Sequence, residues 1–263
     1  MAIRALHTAS SGMSALQTQV DVIANNLANV NTVGFKQDRA NFADLLYQEV
    51  RRAGLRQPEG NTAPVGLSIG SGVKLDSIDK EFRQGGMRVT GNNFDMAIEG
   101  DGFFQLLMFN GQTAYTRSGN LFRDKDGNLV TAGGLKLQPG ITIPAEATGI
   151  TVSEDGRISA IMPGQSNADE IGQIELARFV NPKGLQAIGD NLFLETDASG
   201  RAETGSPTTS SFGRIRHQAL EESNVEVVKE MVDLISAQRA YEINANAIKS
   251  ADEMMRVANN LRA

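Results

Sequence analysis

The chain reads as an α+β protein: N- and C-terminal helices that pair as a coiled coil, with an antiparallel all-β domain and an extended arm inserted between them. Three observations carry that reading. Apolar residues recur at coiled-coil spacing near the two ends and nowhere else. Short apolar runs alternate with turn signals through the middle. Between the first helix and that middle lies a stretch punctuated by Gly and Pro.

The first helix is the plainest element. Stepping by three and four from Ala2 meets Leu6, Ala9, Met13, Leu16, Val20, Ile23, Leu27 and Val30 without a polar interruption, the spacing of a helix packed along a partner. Only Arg4 and Asp21 are charged before Lys36. A helix with one solvated face normally carries more charge than that, so the Ser, Thr, Gln and Asn positions suit contact on several sides; a polar, solvated face is the alternative. Thr32 and Val33 weaken the helix, and Gly34 suits the left-handed position that ends it. The helical domain is expected over 1–34.

From 35 to 80 the pattern becomes an arm. Phe42, Leu45 and Leu46 hint at a short helix, but Gly54, Pro58, Gly60 and Pro64 favour an extended course. A β domain is expected over 81–210. Apolar segments at 96–98, 103–107, 129–130, 158–161, 174–180 and 192–194 are separated by Gly100-Asp101-Gly102, Asp126-Gly127-Asn128, Asp155-Gly156 and Ser199-Gly200, which are turn signals. Strands at this density, with no helical pattern between them, form antiparallel sandwiches or barrels. Such a domain has its own core and is expected to fold alone. The Ser- and Thr-rich stretch 204–213 reads as a linker.

The C-terminal segment, 211–263, holds the second helix and is expected to pack with 1–34. Val227, Met231, Leu234, Tyr241, Ala245, Ile248 and Met255 sit on a heptad frame that Gln238 and Asp252 interrupt. Ser223 and Glu226 have the spacing of a capping box, and Glu230 and Asp233 suit the positive end of the helix dipole, Arg256 and Arg262 the other. The helix is expected to run to Leu261. Such a pair of helices is marginal alone, because backbone ordering costs ~1–2 kcal/mol per residue. The termini are therefore expected to be partly disordered in the free monomer and fixed by neighbours.

Composition narrows the function. A net charge of −6 with no dense Lys/Arg cluster argues against nucleic acid as a partner. No apolar run reaches the ~20 residues of a membrane helix. His7, Thr8, Ser10 and Ser11 break up any apolar segment after Arg4, so a cleaved secretory signal is not expected. With no Cys, thiolate catalysis and Cys-ligated zinc are out of reach, although compartment stays open. His7 and His217 lack further ligands at zinc spacing. Asp124-Lys-Asp126-Gly127-Asn128 departs from a calcium loop in its Gly and lacks the closing Glu. Gly70-Ser-Gly72 precedes a strand pattern where a dinucleotide loop needs a helix. Glu99, Asp101, Asp124 and Asp126 are candidates for paired-carboxylate chemistry, but turn Asp residues usually serve their own backbone.

Read together, several motifs resemble those of bacterial flagellar rod and hook proteins. Asn25-Asn-Leu-Ala-Asn-Val-Asn-Thr-Val-Gly-Phe-Lys36 is similar to that family's N-terminal signature, with Asn25, Asn26, Asn29, Gly34 and Phe35 its marked positions. Asp95-Met-Ala-Ile-Glu-Gly-Asp-Gly-Phe-Phe104 and Tyr115-Thr-Arg-Ser-Gly-Asn120 resemble its β-region motifs. Glu222-Ser-Asn-Val-Glu226, Glu230-Met-Val232 and Gln238-Arg-Ala-Tyr-Glu-Ile-Asn244 resemble its tail. Length, and an arm containing Tyr47-Gln48 and Pro64-Val-Gly-Leu-Ser-Ile-Gly-Ser-Gly-Val73, look most like distal-rod members.

The resemblance implies a structural homopolymer and not an enzyme, with no cofactor, no metal and no small-molecule substrate. It implies subunits exported unfolded by the flagellar apparatus without a cleaved signal. They would stack helically into a rigid hollow shaft in the basal body, spanning the periplasm. Implied partners are the proximal rod and hook proteins, the ring bushing and the export apparatus. Rod rigidity would map to Tyr47, Gln48, Pro58 and Pro64. A proximal-rod or hook subunit is the alternative within the family, and a β-domain enzyme with an oligomerising coiled coil the alternative outside it.

Overall fold

The computed structural model describes residues 2–51, 65–147, 149–163, 168–209 and 211–260. They form an α+β fold in two compact units. One comprises Met1–Leu27, Asp38–Asp79 and Glu226–Ala263; the other comprises Ala28–Gln37 and Lys80–Val225. The expected partition placed 28–34 with the first helix and 211–225 with the second. Both segments instead belong to the β unit.

In the helical unit, α1 spans Ala2–Ala28 and α2 spans Val227–Asn260. α1 stops six residues before Gly34. Asn29 closes a turn in its place: the Thr32 amide donates to the Asn29 carbonyl and the Thr32 hydroxyl to the Asn29 side chain. β-Branched Thr32 and Val33 disfavour further helix. Gly34 is left-handed, with φ +69°, but in this later turn, so Val30 lies outside the helix. The second helix also starts later than a cap at Ser223 implies. α2 begins at Val227, and its first carbonyl acceptor is Glu226, bonded to the Glu230 amide at 3.0 Å. Ser223 Oγ accepts the Val225 amide in a local turn. Leu261 and Arg262 lie outside the described residues.

The arm is strand, not helix, where Phe42 raised that possibility. Asp38–Asp44 pairs with Val73–Lys80, and Gln48–Arg51 pairs antiparallel with Leu67–Ile69. Pro58 and Pro64 lie outside the described residues.

In the β unit, the expected apolar runs are strands: Met96–Glu99, Phe103–Leu107, Leu129–Val130, Arg157–Ile161, Leu176–Arg178 and Leu192–Leu194. Among the described residues the largest sheet has nine strands, with Phe103–Leu107 between Thr113–Thr116 and Lys136–Gln138 and also paired to Leu176–Arg178. A three-stranded sheet joins Gly149–Val152, Arg157–Ile161 and Ala168–Gln173. Phe104, Leu106, Ile158, Ile174, Leu176 and Ile215 are among the residues of one buried core. A second cluster is aromatic: Phe103, Tyr115, Phe179 and Phe193 with Phe82, packed edge to face. The stretch 204–213 is not simply a linker. Glu203–Gly205 is a strand, Arg214–His217 pairs with Met96–Glu99, and Ala219–Glu221 pairs with Met87–Val89.

Candidate functional site

The family-like motifs, far apart in sequence, meet in the β unit around three buried charges. Lys36 Nζ donates to Glu221 Oε1 at 2.7 Å and to the Arg83 carbonyl at 2.8 Å. The Gly85 amide donates to the same Oε1 at 3.0 Å. Arg117 Nε lies 3.5 Å from Glu221 Oε2, which accepts no hydrogen bond. Arg117 Nη1 donates to the Gly100 carbonyl at 2.9 Å, and its guanidinium stacks 5.7 Å from the Phe103 ring centre. All three side chains are almost fully enclosed.

Local structure explains the placement. Strand Ala219–Glu221 ends at Glu221, whose carbonyl accepts the Gly34 amide at 2.8 Å. Gly34 packs so closely on Arg117 and Ser118 that a Cβ there would sit 2.7 Å from the Ser118 nitrogen. At Gly119 a Cβ would sit 1.6 Å from the Met96 carbonyl oxygen. These glycines let the three motifs touch backbone to backbone. Phe35 is buried beside Lys36, and Asn191 donates to the Val33 carbonyl. Asn224 finishes the join: its Oδ1 accepts the Gln37 amide, and its Nδ2 donates to the carbonyls of Glu81 and Arg83.

Burial dominates the electrostatics. It pulls the Lys36 amine below its usual pKa of 10.5, and Arg117 pushes the same way, against the attraction of Glu221. Arg117 is likewise lowered by burial, opposed by Glu221 and then Asp101. With no water to hydrate it, each charge depends on the others. The arrangement holds chain segments together.

In the helical unit, Asn26 works as a splice. Its Oδ1 accepts the Asp38 amide at 2.8 Å and its Nδ2 donates to the Asp38 carbonyl at 2.9 Å. The same Nδ2 lies 3.3 Å from Glu230 Oε2 on α2. Asn25 donates to the Asp38 carboxylate. α1 and α2 approach again where Gly12 faces the Asn244 side chain. Among the expected seam positions, Ile23 is buried, while Leu6, Met13, Leu16, Val20, Leu27, Leu234, Ile248 and Met255 are half-buried. Val227, Met231 and Tyr241 do not join them; they are exposed. The enclosed face of α2 runs instead through Glu230, Leu234, Ala237, Asn244, Ile248, Ala251 and Met255. The apolar spacing found Leu234, Ile248 and Met255 of this face but not Glu230, Ala237, Asn244 and Ala251, because small and polar residues occupy the close approaches.

The other candidate groups stay apart or serve the backbone. Glu99 is held by Arg214 through two 3.0 Å contacts, whose hydrogen bonds keep its carboxyl below the usual range. Asp124 caps its own turn through the Lys125 amide. His7 is exposed on α1, and His217 Nε2 sits 2.9 Å from the Asn93 carbonyl. No helix among the described residues is long and apolar enough to cross a membrane.

The same segments match known families. Residues 6–36 match the flagella basal body rod protein family, 97–160 the flagellar hook protein FlgE/F/G D1 domain, and 216–261 the flagellar basal body rod FlgEFG protein C-terminal family. The flagellar basal-body rod protein FlgG of Caulobacter vibrioides is 48% identical over 262 residues, covering 99% of this chain and 100% of the relative. That of Borreliella burgdorferi is 48% identical, covering 99% of each. That of Bacillus subtilis is 37% identical over 268 residues, covering 99% of each. The chain belongs to the flagellar basal-body rod family. It is a structural rod protein and not an enzyme, and the motifs gathered at Lys36, Arg117 and Glu221 come from all three matched segments or their immediate borders.

Proposed function

We propose that this rod protein polymerises head to tail into the rigid hollow shaft of the distal rod. The shaft carries motor torque from the proximal rod to the hook, inside the ring bushing. The observation that carries this reading is likeness to rod proteins along the whole chain, joined to helices whose closest approaches suit a pairing. Asn26 meets Glu230, and Gly12 lies opposite Asn244. Moving 14 residues back along α1 moves the contact 14 residues forward along α2, which is the relation of antiparallel helices. The pair forms the inner layer as a coiled coil, with Leu16, Val20 and Ile23 in its seam. The ribbon containing Tyr47 and Gln48 stiffens the shaft. Subunits pass unfolded through the flagellar export apparatus without loss of an N-terminal signal.

Electron microscopy of basal bodies from cells lacking the chain tests the role. A short rod with no hook supports it. A complete rod lacking only its hook assigns the chain to the hook. Intact flagella refute the proposal.

A further inference from the structure

The β unit buries one more charge than it pairs closely. Lys36 and Glu221 close on each other at 2.7 Å. Arg117, the third member of the trio, stands 3.5 Å from Glu221 Oε2 and makes no hydrogen bond to it. A guanidinium carries five N–H donors. Among the described residues one of the five is used, by Nη1 on the Gly100 carbonyl. The Arg117 side chain is only 4% exposed, and a buried donor left unpaired costs free energy. This arginine is therefore charged, nearly enclosed and short of acceptors.

It also lines a cavity of about 380 Å³, near the lower end of the ~300–1,000 Å³ typical of ligand cavities. Three rings share the lining, Phe82, Phe103 and Phe179, all from the aromatic cluster. The Phe103 ring stacks on the guanidinium and holds its fork in place. Val180 lines the mouth, apolar yet 80% exposed. Arg178 is there too, its Nη2 donating to Glu203 at 3.0 Å. Asp101 stands in the same wall and attracts Arg117, but it is exposed and no hydrogen bond joins the two.

These features specify the chemistry of an occupant. A fixed fork with unused donors matches a planar carboxylate, which takes two parallel N–H bonds from one arginine. One surplus positive charge matches one negative charge. A phosphate group, at about −1.5 to −2, exceeds that surplus and would face Asp101. A neutral apolar group would fill the space and leave the donors unpaired. The aromatic wall calls for an apolar group beside the acid. We propose that the cavity takes the side-chain carboxylate of a glutamate or aspartate from a partner polypeptide, with an apolar neighbour of that residue packed on Phe82 and Phe179. Arg117 receives the acid, and the rings exclude water from the pair. The site stands on the geometry of the β unit and does not depend on the polymer reading.

The chain has no tryptophan, so Val180→Trp puts a lone indole at the mouth of the cavity as a reporter. The full chain carrying it is titrated with the acetylated and amidated tripeptide Leu-Glu-Leu, then with Leu-Gln-Leu. The expected result is a saturable fluorescence change, with the glutamate peptide bound at least about tenfold more tightly, the ratio that ~1.4 kcal/mol represents. Calorimetry with the unaltered chain repeats the comparison without the indole. Equal affinity for the two peptides overturns the proposal, and so does no binding of the glutamate peptide in either assay. Inorganic phosphate that displaces the glutamate peptide at equal concentration also overturns it, because the site would then read charge alone. In the chain with Lys36→Met, Arg117→Met and Glu221→Leu the preference for glutamate is expected to vanish. A preference retained there, with cooperative urea unfolding intact, removes Arg117 from the site and refutes the assignment.

Discussion

Glu221→Gln replaces one oxygen by an amide nitrogen and leaves two buried cations, Lys36 and Arg117, without an anion between them. Removing one partner of a buried pair costs ~3–5 kcal/mol. The structure sets the range more closely. The glutamine keeps an oxygen for Lys36 and the Gly85 amide, so packing and hydrogen bonding persist and the loss is chiefly of charge. Lys36 can escape by shedding its proton, which caps its share at ~5 kcal/mol, the free energy of deprotonating an ordinary lysine at pH 7. A loss of about 3–4 kcal/mol, at a urea slope of ~2 kcal/mol/M, lowers the unfolding midpoint of the β unit by about 1.5–2 M. Urea unfolding followed by the near-UV signal of buried Tyr115 measures it. A shift below ~0.5 M at unchanged slope refutes the argument, since the charges would then not depend on one another. The companion variant, Lys36→Met with Arg117→Met and Glu221→Leu, removes all three charges and regains most of the loss, because apolar groups of similar volume substitute well for buried ions.

Lys36 also dictates a pH dependence. Its folded pKa lies below 10.5, so between that lowered value and 10.5 the unfolded chain binds more protons and stability rises with pH; Lys36→Met abolishes the rise in alkaline urea titrations. Gly34→Ala introduces a Cβ 2.7 Å from the Ser118 nitrogen at φ +69° and lowers stability by more than ~2 kcal/mol, measured in the same assay. Gly127→Ala is damaging in the same way, with a Cβ 2.3 Å from the Ile143 carbonyl, whereas Asp126→Ala at the exposed tip stays within ~0.5 kcal/mol of the native chain. Ile23→Asp puts an unpaired charge at a 5% exposed position and stops rod assembly, scored by electron microscopy; normal rods would remove Ile23 from the seam. Amide exchange in the free monomer is fast over 16–27 and slows on assembly; strong protection before assembly refutes the disordered-terminus expectation.

Much of this was legible in the residues. The strands stood out where apolar runs met Gly turns, as at Phe103 and Leu192, because short continuous apolar runs and left-handed glycines leave local marks. Arg214–His217 and Ala219–Glu221 did not, because a charged strand and one of three residues are recognisable only through their partners at Met96 and Met87. The buried trio escaped for the same reason. Lys36, Arg117 and Glu221 each look like surface residues until the topology brings them together, although Lys36 and Arg117 stand inside motifs already noticed. On α2, Val227, Met231 and Tyr241 are exposed while Ala237 and Ala251 are buried, so size picks out only Leu234, Ile248 and Met255 of the enclosed face. Gly34 was recognised as a left-handed turn but assigned to the helix end; the Asn29 turn that precedes it depends on side-chain bonding that spacing does not reveal.

Lys36 and Glu221 are separated by 185 residues along the chain, and this distance makes their bond a check on completeness. A chain broken anywhere before Glu221 keeps Lys36 and Arg117 but lacks the carboxylate that allows both to be buried. It also lacks the last strand of the β unit and the backbone acceptor for Gly34. Closing so long a loop is among the slower events in folding, and here it comes after nearly all other strands are available. A truncated subunit therefore cannot imitate a finished one. In a polymer built subunit by subunit, the clasp lets only intact chains present a closed β unit to the growing end.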